Sequence, residues 1–159
     1  IAAVTGEPDP EHWRAEAGVV FTPVTGELFG GARGSGAWLA GRRLAVSEAT
    51  DAGALVATGF GYDPATHAGD LERVRAVMPL ARDLRRAGAA SLDLAYVAAG
   101  RLDGYFERGL HPWDHAAGAL LVVEAGGRVG GAPGGRPGAL MTIAAGPDLY
   151  AALDTAIYR

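Results

Sequence analysis

The first 47 residues break into short apolar runs, "IAAVT", "AGVVFTP", "GELFGGA" and "GAWLAGRRLAVS", separated by turn-rich stretches such as "GEPDPEHWRAE". Val19, Val20 and Phe21 are β-formers bounded by Gly and Pro. Runs of this kind predict short antiparallel strands, so residues 1–47 read as a β-meander. Residues 54–60, "ALVATGF", are apolar throughout and end in Gly, which predicts a strand in a sheet covered on both faces. The period then changes. Over residues 68–86, Leu71, Val74, Met78, Ala81 and Leu84 recur every three or four positions, predicting a helix that Pro79 kinks or restarts. The same spacing in "AASLDLAYVAAG", through Leu92, Tyr96 and Ala99, predicts a second helix with Gly100 as its C-cap. "LDGYFERG" reads as a strand, residues 114–125 as a helix opening on Asp114, residues 130–138 as a Gly/Pro loop, "LMTIAAG" as a strand, and the chain from Pro147 as a last helix. Residues 48–159 are therefore an α/β part following the meander, in one domain.

Composition narrows the function classes. At 159 residues and about half apolar, the chain is long enough for a real core. A formal charge of −4 without any block of like charge argues against a nucleic-acid footprint and a polybasic membrane anchor. No cysteine is present, which removes disulfides, thiolate metal sites and thiol nucleophiles. No apolar run approaches the roughly 18–20 residues that span a bilayer, so a soluble cytoplasmic protein is expected. All basic residues are arginine, and Asn, Gln and Lys are absent, a skew of the kind G+C-rich coding produces. "IAAVT" reads as the second half of a strand, from which an upstream segment is expected.

Candidate chemistry centres on "FERGLHPWDHAAG". Asp114 sits where an N-cap belongs, and its carboxylate suits the orphan amides and dipole of a helix start. Glu107 lies seven residues upstream at the end of a strand, so two carboxylates converge where α/β proteins bind ligands. Oxygen donors of this type suit Mg²⁺ rather than zinc. His111 and His115 straddle the Pro-Trp-Asp turn and do not share a helix face, so ordinary hydrogen bonds are expected of them rather than zinc. "GGARGSGA" has phosphate-loop glycine spacing but lacks the Lys-Ser/Thr ending and does not open a helix, and a turn needing positive φ is the better account. Gly88, Ala89 and Ala90 open a helix whose exposed amides suit an anion or a hydroxyl, with close backbone packing as the other account of the glycine. Ser35, Ser47 and Ser91 are the only serines and none lies in a nucleophile elbow.

The runs "GRLDGYFERGLHPWDHAAGALLVVEAGG", "RRAGAASLDLAYVAAG", "GVVFTPVTGELFGGARGSGAWLAGRRLAVS" and "LVATGF" together resemble the inositol monophosphatase family of Mg²⁺-dependent, lithium-sensitive phosphomonoesterases. The resemblance runs over nearly the whole chain. It implies a layered α/β sandwich, a small phosphorylated substrate, a homodimer, Asp114 as a metal ligand, Glu107 as acceptor of substrate hydroxyls, and Ala90 beside Ala89 as backbone contact to the sugar or cyclitol. The family's other metal ligands, a Glu-Glu pair and an Asp-Pro-(Ile/Leu)-Asp-Gly-Thr motif, have no counterpart here. What remains is similar to the C-terminal portion of such an enzyme, so no catalytic residue is identified within this chain, and it is expected to be inactive alone. Within the family, "ERGLHPWDHAAG" is more similar to the inositol phosphatases than to the branches that act on histidinol phosphate or on bisphosphates such as fructose bisphosphate, which stay as the alternative substrates. Two readings of other classes stand beside it: a non-catalytic fragment or homologue that keeps the fold, and a nucleotide-binding module using residues 30–36.

Overall fold

The computed structural model describes residues 1–7 and 9–159. The meander forms a single sheet in which β1 (Ala2–Thr5), β2 (Arg14–Thr22), β3 (Glu27–Ala32), β4 (Gly36–Leu39) and β5 (Arg42–Arg43) pair antiparallel in chain order. Side chains alternate between its faces, as the strand period requires. Val20, Phe29, Ala37 and Leu39 are buried against the rest of the chain, whereas Phe21, Leu28 and Trp38 stand exposed on the opposite face.

The second sheet has the order β7-β6-β8-β10-β9. In it β6 (Ala54–Thr58) runs parallel to β7 (Ala81–Arg85) and to β8 (Gly104–Glu107), and β10 (Thr142–Ala145) runs antiparallel to β8 and to β9 (Arg128–Gly130). Helices α2 (Ala90–Ala98) and α3 (Pro112–Glu124) lie between the two sheets, and α1 (His67–Val77) and α4 (Pro147–Tyr158) cover the outer face of the second. The layers therefore run sheet, helices, sheet, helices. Successive residues of each central strand serve different cores: Ala57, Tyr105 and Ala144 join Phe29, Leu94 and Leu121, while Val56, Phe106 and Ile143 join Val77, Leu149 and Leu153. Burial on both faces explains why "ALVATGF" is apolar without alternation. No helix among the described residues is long and apolar enough to cross a membrane.

Two expectations need correction. The helix expected over residues 68–86 ends at Val77, a 3₁₀ turn covers Met78–Leu80, and Ala81 turns extended at φ −98°, ψ 131°. Pro79 has no N–H and crowds the preceding turn, and the chain beyond it satisfies its backbone on the open edge of β6 instead. Ala81 and Leu84, spaced as on a helix, are half-buried residues of that edge strand. The loop expected over residues 130–138 also loses its first residue to β9, which ends at Gly130.

The glycine-rich turn between β3 and β4 is occupied from within. The Glu124 carboxylate at the end of α3 accepts the amides of Gly34 at 2.8 Å and Gly36 at 2.9 Å. Both glycines have positive φ, +73° and +83°, a region L-residues with a Cβ enter at a cost. The turn is thus built to bind an anion that the protein itself supplies, which accounts for the spacing without a nucleotide.

Candidate functional site

Strand β8 delivers Glu107 as its last residue, and the loop after it leads into α3. That helix starts earlier than expected. Pro112 takes the first helical position, where its missing N–H costs nothing, so His111 is the N-cap and Asp114 is the third residue of the helix. Asp114 still serves the helix start, because Oδ2 accepts the His111 backbone N–H at 2.8 Å. Its second oxygen is left for other partners. The loop between the two acids is tied down by Arg108, whose Nε donates to the buried Asp70 of α1 at 2.6 Å.

Glu107 shares a strand face with Tyr105, two residues back. The Tyr105 hydroxyl, fully buried, donates to Glu107 Oε2 at 2.6 Å. Burial pushes the Glu107 pKa above the ordinary carboxylate value, with the Asp114 and Asp70 charges adding, while the Tyr105 hydrogen bond and the Arg86 charge hold it down. Burial, and then the charge and hydrogen bond of Glu107, push the Tyr105 phenol up. Across from them, Asp93 in the first turn of α2 is buried, and its pKa is pushed from 3.8 to about 7, first by burial and then by the Glu107 charge.

A carboxyl raised in this way keeps its proton in the folded protein while the unfolded chain has released it. Stability therefore falls as pH rises from about 4 to about 7 and levels off above. Asp93→Asn, which stays neutral at every pH, is expected to melt several degrees above the wild type at pH 8 and to match it near pH 4.5. Parallel melting curves across that range would refute the assignment.

Ala89 is the extended N-cap of α2, at φ −144° and ψ 101°, and no side chain caps the helix there. Gly88 precedes it at φ +86° with nothing within 4 Å of a Cβ built on it. Close packing is therefore not the reason for this glycine, and its positive φ supplies one that neither expectation named.

One cleft of about 230 Å³ is lined by Glu107, Asp114, Ala89 and Ala90, together with Gly59 and Phe60 from beyond β6. All four residues singled out in the sequence line it. Arg86 closes the rim, its guanidinium 5.8 Å from the centre of the Phe60 ring. His111 also lines the cleft and stacks on the exposed Trp113 at 4.6 Å. His115 departs from expectation: it is buried, its Nε2 has no hydrogen-bond partner, and it borders a separate pocket beside Trp13 and Arg136. Burial pushes its pKa down, with the Arg136 charge adding and the Asp114 and Glu11 charges opposing.

Sequence reasoning missed Asp93, Tyr105 and Gly59. A signal existed for Tyr105, which stands two residues from Glu107 on one strand. None existed for Gly59, whose role depends on a contact between two strands. Among the described residues, no three His, Asp or Glu side chains gather to hold a metal ion. Mg²⁺ takes six oxygens in near-octahedral array, so Asp114 does not complete such a site with the donors of this chain.

These layers, with an acid-lined cleft at the carboxyl end of a central strand, define an α/β protein of phosphatase-type fold. The chain belongs to the inositol monophosphatase family, whose model matches residues 11–156. Nus factor SuhB of Escherichia coli (strain K12) is 51% identical over 124 residues, covering 77% of this chain and 46% of that protein. Nus factor SuhB of Pseudomonas aeruginosa is 53% identical over 120 residues, covering 73% and 44%. Among solved structures, the extragenic suppressor protein suhB of Bartonella henselae superposes with a TM-score of 0.84 at 41% identity, over 92% of this chain and 58% of that one. The inositol monophosphatase of Anabaena gives 0.80 at 35% identity, over 90% and 58%. The chain spans about half the length of the curated relatives it matches.

Proposed function

We propose that this chain forms the substrate-recognition side of a Mg²⁺-dependent hydrolase of phosphate monoesters, with inositol monophosphate or a related sugar phosphate as substrate. The observation that carries this reading is the single cleft that collects Glu107, Asp114 and the uncapped start of α2 at Ala89 and Ala90. Glu107 accepts a substrate hydroxyl, the backbone at Ala89 and Ala90 contacts the polyol, and Asp114 contributes one ligand to a divalent cation. The remaining ligands come from outside these 159 residues. Metal-activated water is the chemistry such a complete ligand set supplies, and no residue of this chain is assigned to the chemical step. Lithium sensitivity and a homodimer belong to the same reading.

The test is phosphate release from inositol 1-phosphate with Mg²⁺, measured on the intact gene product and on the isolated 159-residue chain. Turnover by the first and none by the second is expected. An inert intact protein would remove the hydrolase reading, and comparable turnover by the isolated chain would remove the shared ligand set.

The name of the relatives, Nus factor SuhB, favours a second reading, a non-catalytic factor that keeps the family fold. Under it a macromolecular partner replaces the substrate, and the expectation of no nucleic-acid partner, drawn from charge, loses its support. The inert outcome of the same assay on the intact protein selects it.

A further inference from the structure

The Glu107 carboxyl is confined more tightly than hydroxyl binding alone requires. Tyr105 engages Oε2 at 2.6 Å from within the core. The backbone of Gly59 lies against the same carboxyl, so that a Cβ built at Gly59 would overlap Cδ, Oε1 and Oε2 of Glu107 together. Gly59 is not among the glycines of positive φ. Space, not conformation, is therefore the reason for a glycine at this position. The overlapped atoms are the end of a side chain and not backbone, so an added methyl group is accommodated by turning Glu107 away while the strands stay in place.

We propose that Gly59 is a positioning residue, which with Tyr105 forms a seat that holds the Glu107 carboxyl in one orientation and leaves Oε1 as its free acceptor. The proposal rests on the hydrolase reading for its substrate. An ionised carboxylate accepts hydrogen bonds and donates none, and it repels a phosphate. Its partner is therefore a hydroxyl, and a seat that spends one oxygen on Tyr105 leaves one direction in which that hydroxyl is met. The substrate class that uses this is a polyol monophosphate with a free hydroxyl beyond the ester, in preference to an aryl phosphate that has none.

Displacement of a positioning group by about 1 Å costs on the order of 10²-fold. In the intact protein with Mg²⁺, Gly59→Ala is expected to lower kcat/KM for inositol 1-phosphate by about 10- to 100-fold, with a loss on an aryl phosphate at least tenfold smaller. In a Glu107→Ala background the same substitution should add less than twofold, because the group it displaces is gone. Equal losses on both esters, or additive effects in the double variant, would overturn the seat. Carboxyl ¹³C titration by NMR supplies a readout independent of turnover. Tyr105→Phe should raise the Glu107 pKa, since the hydrogen bond holding it down is lost, and Gly59→Ala should move the Glu107 carboxyl resonance while the other carboxyls stay in place. A Glu107 signal indifferent to both variants would overturn the proposal. If the wild type hydrolyses neither ester, the hydrolase reading fails, and the titration still decides whether the seat exists.

Discussion

Asp114→Asn should abolish Mg²⁺-dependent phosphate release by the intact protein, by on the order of 10³-fold, while leaving the fold nearly as stable as before. The substitution separates the helix-start contact of Asp114 from its proposed contact to a divalent cation. Its Oδ2 accepts the His111 N–H at 2.8 Å and so completes the start of α3, a duty an amide oxygen performs as well. Its charge favours a divalent cation, and a neutral amide forfeits that. A loss of 10³-fold corresponds to about 4 kcal/mol of transition-state stabilisation, within the several kcal/mol that a metal ion supplies. Asp114→Ala should lose the activity and about 1 kcal/mol of helix-start stability as well. Phosphate release and thermal melts of the two variants decide the matter. An active Asn variant would sink the metal-ligand role, and an Asn variant that unfolds would show that the acid is needed first for the helix.

The second large effect concerns the layer that carries the site. Gly118 of α3 faces Leu94 of α2 so closely that a Cβ would stand 2.5 Å from Leu94 Cβ and 3.0 Å from Leu94 Cδ1. Leu94 is fully buried in the core between the sheets. Gly18 of β2 repeats the device on the other side of α3, where a Cβ would meet Ala117 Cα at 3.0 Å, so the helix packs closely against both α2 and the first sheet. Overpacking of a filled core costs about 1–3 kcal/mol and occasionally more, and a β-branched side chain directed at another helix belongs at the upper end. Gly118→Val should therefore destabilise the protein by about 3 kcal/mol, read as a lower urea midpoint at an unchanged slope. Gly118→Ala should cost less, and Leu94→Ala should relieve part of that cost, so that the double variant loses less than the sum of the two. Additivity would mean that the two helices do not depend on this contact.

Element type was legible wherever neighbours in the chain decide it. The meander over residues 1–47, the apolar strand near residue 54 and the helix through Leu92 and Tyr96 all follow from local periodicity, and each is present. The same rule failed at residues 81–85, whose spacing suits a helix while the open edge of β6 offered their backbone a partner. Asp114 was recognised as an acid at a helix start, yet its place in the helix depended on Pro112 occupying the first position. The positive φ of Gly34 and Gly36 agrees with the turn that the glycine spacing predicts, whereas the carboxylate that fills the turn comes from Glu124, about 90 residues away.

Composition and period are properties of adjacent residues, so residue order alone established most of the strands and helices, the absence of thiol chemistry and the two acids of the cleft, and it failed at β7, where the spacing suits a helix. Folding brings segments near residues 59, 89, 107 and 114 to one cleft, sets Asp93 within reach of the Glu107 charge, and lays Gly59 against the Glu107 carboxyl, which a Cβ there would overlap. Those facts arise from packing between elements far apart in the chain, where close approach, burial and mutual charge are set by neighbours in space.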